Sequence, residues 1–94
     1  MNDKIYEILE EMEDELEGAE EYVEKAIECA RYHSPHKSIY MSLAEDEIHH
    51  YEKLESMLKS FEIGDEMKWY VDKKHSEMMK KHAHIKYMIS NASM

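Results

Sequence analysis

One cysteine, one proline, two glycines, one tryptophan and one phenylalanine occur in 94 residues, and each scarcity removes a class of protein. With Cys29 alone, one chain can form neither an internal disulfide, nor a thiolate zinc site, nor a rubredoxin-type iron site. Few breakers and abundant Glu, Lys, Met, Ala and Leu leave helix as the only well-supported secondary structure. No run approaches the roughly 18 apolar residues of a membrane-spanning helix, and no signal-peptide pattern precedes Asp3-Lys4, so the expected compartment is the cytoplasm. Positive charge is also short: 12 Lys+Arg stand against 22 Asp+Glu, a net charge of −10. Such a chain repels phosphate backbones and anionic membrane surfaces, so no nucleic-acid and no membrane partner is expected. At this length it is a single domain, 1–94.

Aliphatic residues are sparse too, with sixteen Leu, Ile, Val and Phe, and nine Met and seven Tyr make up the difference. Periodicity decides between order and disorder. Ile5, Ile8, Leu9, Met12, Leu16, Ala19, Val23, Ala26, Ile27 and Ala30 recur at helical spacing and predict a helix over 3–32, capped by Asn2 or Asp3. Ser34-Pro35 reads as a start signal for a second helix over 35–62, with Tyr40, Leu43, Ala44, Ile48, Tyr51, Leu54, Leu58 and Phe61 on its apolar face. Gly64-Asp65 supplies a stop and a new cap for a third helix over 66–89, presenting Val71, Met78, Met79, Ile85 and Ile89. Short connections then predict an all-α, three-helix, up-down-up bundle. Gly18 falls inside the first helix, where it costs about 1 kcal/mol against alanine. Nothing in the chain reads as an internal repeat or a low-complexity linker.

Charged residues on the apolar stripes carry the functional information. At 100° per residue, Glu15 lies about 60° from the centre of its stripe and Glu17 about 140° away. In Glu45-Asp46-Glu47-Ile48-His49-His50, Glu47 falls at the middle of the apolar face and His50 at its edge, while Asp46 and His49 point to solvent. A buried carboxylate needs a shifted pKa, a partner cation or a metal. Glu47 and His50, three apart, can reach one point, and with an inward Glu from the preceding antiparallel helix they make the construction of carboxylate-bridged di-iron bundles. Mixed carboxylate and imidazole donors suit iron, with manganese or zinc as alternatives.

These residues resemble the ferritin-like superfamily, especially the rubrerythrins and the small half-bundle encapsulated ferritins. DELEGAEEYVEKA is similar to the family's first metal helix, in which a ligand Glu precedes a Tyr by seven residues, here Glu15 and Tyr22. LAEDEIHHYEKL is similar to the second, with Glu47 and His50 as the E-x-x-H pair. The matches span residues 14–54. A full ferritin-like bundle has a second Glu helix and a second E-x-x-H helix; neither follows residue 60, so the chain carries half a di-iron carboxylate site. MKWYVDKKHSEMMKKHAHIK is similar to the third helix of small three-helix ferritin-like proteins, in which a His follows a Met by eight residues, which implies His75 as a further ligand.

The third helix also carries His82, seven residues on, so either histidine is a candidate beside Glu15, Glu47 and His50. Met residues read as flexible core filler, Tyr22 and Tyr51 as packed rings whose hydroxyls reach an acceptor, and Cys29 as a small buried residue. Glu10, Glu11, Glu13, Asp14 and Glu17 form an exposed acidic face, and the resemblance implies a metal-entry role for Glu17. The expected function is a small iron-binding protein, a candidate for iron oxidation or peroxide or oxygen chemistry. A metal-free acidic helical adaptor or regulatory protein is the alternative. The half-complement of ligands and the thin aliphatic core both predict a homo-oligomer, a dimer or larger.

Overall fold

In the computed structural model, which describes residues 2–92 with side chains from Asp3 onward, the chain forms three helices: α1 Asn2–Arg31, α2 Lys37–Lys59 and α3 Asp65–Ala92. No strand occurs among the described residues, and the principal extents are 51 × 18 × 15 Å. The long dimension is close to that of α1, since 30 residues at a rise of 1.5 Å make a rod of roughly 45 Å.

Side-chain pairs give the directions of the helices. Glu15 meets His50 and Tyr22 meets Tyr40, so α1 and α2 run oppositely. Tyr6 meets Tyr70, Glu13 meets Lys74 and Glu20 meets Lys81, so α1 and α3 run together. The backbones of α2 and α3 barely approach each other, and α1 is the helix that both pack against.

The core is the expected stripe of α1 from Ile5 to Ala26, set against Met41, Ala44, Ile48, Tyr51 and Leu58 of α2 and Met67, Val71, Met78 and Ile85 of α3. Ile27 is 42% exposed, so the stripe ends at Ala26. Met79, expected on the apolar face of α3, is also exposed; adjacent residues point about 100° apart, and Met78 takes the core position. From Val71 onward the seated ridge of α3 is heptad: Val71, Met78 and Ile85 are buried seven residues apart. That ridge exposes a repeat missed in the sequence reading, Lys73-Lys74-His75 recurring as Lys80-Lys81-His82. Within each copy the second Lys faces α1, paired with Glu13 or Glu20, and the His faces α2.

The helix ends correct the expected boundaries. Asn2 and Asp3 already lie within α1, so neither caps it from outside as expected. At its other end His33 adopts a left-handed φ of 56°, its N–H reaching Ala30 O and that of Ser34 reaching Cys29 O. This pair of bonds is a Schellman closure with His in the place usually taken by glycine. It occupies Ser34, whose hydroxyl accepts the His36 N–H at 3.3 Å, and α2 therefore starts at Lys37 rather than at Pro35. The other end of α2 is closed by Ser60, whose hydroxyl donates to Met57 O at 2.6 Å. Gly64 lends its carbonyl to the amides of Met67 and Lys68, opening α3 without a positive φ.

Candidate metal centre

Glu15 projects from the middle of α1, and Glu47 and His50 from adjacent turns of the oppositely running α2. His50 Nδ1 lies 3.3 Å from Glu15 Oε2 and 3.7 Å from Glu47 Oε1. One donor atom from each of the three residues falls within 4.8 Å of the others, the sole such group of three or more His, Cys, Asp or Glu side chains among the described residues. The carboxylates are mostly covered, each 26% exposed, whereas His50 is 52% exposed. The group is therefore an open cup: two acids at its floor and an imidazole at its rim.

Electrostatics make the floor uncomfortable without a cation. Burial pushes the Glu47 carboxyl above its ordinary value, and the neighbouring Glu15 raises it further, by sharing a hydrogen bond and by its charge. His50 pulls the other way, and Asp46 adds to the rise. Two carboxylates and one imidazole with accessible lone pairs fit a hard or borderline divalent ion. Iron, manganese and zinc all accept such a donor set.

Space for Glu47 comes from Gly18. A Cβ built on Gly18 would lie 2.7 Å from Glu47 Oε2, so the carboxylate occupies the notch that the missing side chain leaves. The mid-helix glycine, which in sequence registers only as a local weakness of α1, thus lies directly against an acid of the cup.

Asp46, His49 and Glu17 are exposed, as expected from their helical angles. Glu13, placed on the acidic face in the sequence reading, is half-buried and pairs with Lys74 at 3.2 Å, a bond that also holds the Lys74 ammonium above its ordinary pKa. Tyr22 stacks on Tyr40 at 6.2 Å, with the Lys25 ammonium within 6 Å of both rings. Cys29 is half-buried rather than buried.

The helix 3 histidines do not join the cup. His75 Nε2 lies 2.7 Å from Glu55 Oε2, and His82 Nε2 lies 3.0 Å from Glu52 Oε2. These pairs put 82 beside 52 and 75 beside 55, and Glu55 is eight residues beyond Glu47, about 12 Å along the helix. Tyr51, wholly buried, donates its hydroxyl to Glu55 Oε2 at 3.3 Å and lies 4.9 Å from the His82 ring. Burial, with Glu55 and Glu52 alongside, pushes the Tyr51 phenol well up. Glu52 and Glu55 were missed in the sequence. The seven-residue recurrence of Lys-Lys-His was the available signal, because it puts two histidines on one flank of α3 and so requires acceptors on its neighbour.

No helix among the described residues is long and apolar enough to cross a membrane. No family model, curated protein or solved structure matches this chain.

Proposed function

We propose that the protein is a small ferritin-like metal-binding protein that holds iron through Glu15, Glu47 and His50, its three helices forming the up-down-up half of a ferritin-like bundle. The observation that carries this reading is the convergence of two carboxylates and one imidazole, from two oppositely running helices, within 4.8 Å. The raised pKa of Glu47 supports it, because a cation between the acids would relieve the crowding of negative charge that burial and Glu15 impose. Iron held there would supply a one-electron change between Fe(II) and Fe(III), with dioxygen or peroxide as the acceptor class. The chain's own part is to orient the donors and to leave one side open.

That open side supports a second copy as the partner. Three protein donors leave an ion under-coordinated, and a two-fold axis over the cup would duplicate Glu15, Glu47 and His50 to build a four-helix, di-iron carboxylate site. Tyr40, Leu43, Leu54 and Met57 share the α2 face of Glu47 and His50 at spacings of three and four residues, and Met57 is 46% exposed. Burying this face would add apolar area that a small bundle lacks.

The test is metal content and iron oxidation. Protein purified without chelator, then titrated anaerobically with Fe(II) and exposed to air, should bind iron stoichiometrically and form Fe(III) faster than buffer. Glu47→Ala should lose both, and Glu17→Ala should retain both. Wild-type protein that stays iron-free at concentrations well above its own sinks the reading.

A further inference from the structure

Gly18 of α1 lies directly against the Glu47 side chain. The three heavy atoms nearest to a Cβ built there all belong to the Glu47 side chain: Oε2 at 2.7 Å, Cδ at 3.4 Å and Cγ at 3.7 Å. A contact of 2.7 Å is one that a real methyl group cannot keep, so something must move. The atom in the way is the end of a flexible side chain and not backbone. An alanine would therefore leave the helix pair in place and displace the carboxylate.

We propose that Gly18 is a positioning residue of the metal centre: its missing side chain is the notch that lets the Glu47 carboxylate lie against α1 and converge with Glu15 and His50 on one divalent cation. This inference rests on the metal-binding reading above. Glycine disfavours helix at this position, and its φ is not positive, so no backbone conformation requires it. No α2 backbone atom is among the three heavy atoms nearest to a Cβ built there, so the first clash an added methyl meets is with the acid. What does need the space is the one carboxylate that α2 sends into the cup beside Glu15. With Glu47 Oε2 over the notch, Oε1 is the oxygen turned to His50, 3.7 Å from Nδ1. The two oxygens of Glu47 are thus divided between the notch and the imidazole, and shifting one re-aims the other.

Co(II) serves as the probe, since its visible absorption reports the donor set. Wild type, Gly18→Ala, Glu47→Asp and the double variant are titrated with Co(II), and the melting temperature of each metal-free protein is recorded. Gly18→Ala should bind Co(II) about tenfold or more weakly with an altered spectrum, a loss in the range seen when a ligand's support is removed. Its metal-free melting temperature should be equal or higher. In the Glu47→Asp background, where the shorter side chain does not reach the notch, Gly18→Ala should cost no further affinity. A purely structural glycine would instead lower the metal-free melting temperature and act equally in both backgrounds, which overturns the proposal. Unchanged affinity and spectrum in Gly18→Ala overturn it too while leaving the metal-binding reading intact. Wild type that binds no Co(II) overturns the proposal together with that reading.

Discussion

His75 Nε2 and Glu55 Oε2 lie 2.7 Å apart across the α2–α3 seam, and the Tyr51 hydroxyl donates to the same carboxylate oxygen. Burial alone would raise the Glu55 pKa, but the hydrogen bond from His75, the charges of Lys59 and His75, and the Tyr51 donor together outweigh it and hold the carboxyl below its ordinary value. His82 and Lys86 repeat the arrangement on Glu52, at 3.0 and 3.7 Å. Where the two backbones barely approach, these polar pairs fasten α3 to α2.

Acid should loosen that seam. A carboxyl whose folded pKa is lowered contributes stability that is present above its unfolded value, near the ordinary 4.5, and is lost as pH falls through the folded value. Urea unfolding of the metal-free protein should therefore show a stability loss below about pH 4.5 that is smaller in Glu55→Gln. His75→Ala should cost about 1.5–3 kcal/mol at pH 6, as expected for a hydrogen bond to a charged group. Parallel pH profiles for wild type and Glu55→Gln would refute the assignment.

Iron should raise the melting temperature, since a ligand that binds only the folded state stabilises it by mass action. At free Fe(II) of 100 times Kd the gain is about 2.7 kcal/mol, on the order of 10 °C for a domain of this size. Chelator should reverse it, Glu15→Ala should abolish it and Glu17→Ala should not. Equal responses of those two variants in anaerobic scanning calorimetry would separate the effect from the cup.

Glu47 is the costly acid when no metal is bound, because its raised pKa means that ionisation at neutral pH opposes folding. Glu47→Leu should leave the metal-free protein as stable as wild type or more so, while Asp46→Leu, at an exposed position, should bring no such gain. Chemical denaturation at pH 7 without metal decides it: a Glu47→Leu protein that unfolds would show that the acid makes a stabilising pair instead.

Association should depend on salt. With a net charge of −10, two copies repel at low ionic strength, and screening over about 8 Å at physiological ionic strength relieves this. Light scattering at about 100 μM and physiological ionic strength should report a dimer or larger, and His50→Ala should shift it towards monomer in the presence of Fe(II). A metal-bound monomer would eliminate the site shared between two copies.

Much of this was legible in the sequence for simple reasons. Apolar spacing located three helices and most of the buried stripe from Ile5 to Ala26 because burial on one face of a 3.6-residue helix leaves a local record. The same angular reckoning turned Glu15 and Glu47 inward, put His50 at the edge of its face, where it is exposed, and left Glu17, Asp46 and His49 outside. Tertiary structure alone decided the rest. His75 has the same helical character whether it faces a cation or Glu55, and the choice depends on the register of α3 against α2, which a few residues of turn around Gly64 control. Helix ends shifted for a similar reason: Ser34 is a fair cap in isolation, but the left-handed turn at His33 spends its amide on Cys29. Gly18 reads in sequence only as a break in helix propensity. Its neighbour Glu47 lies 29 residues away along the chain, and a steric notch exists only once two helices have been laid side by side.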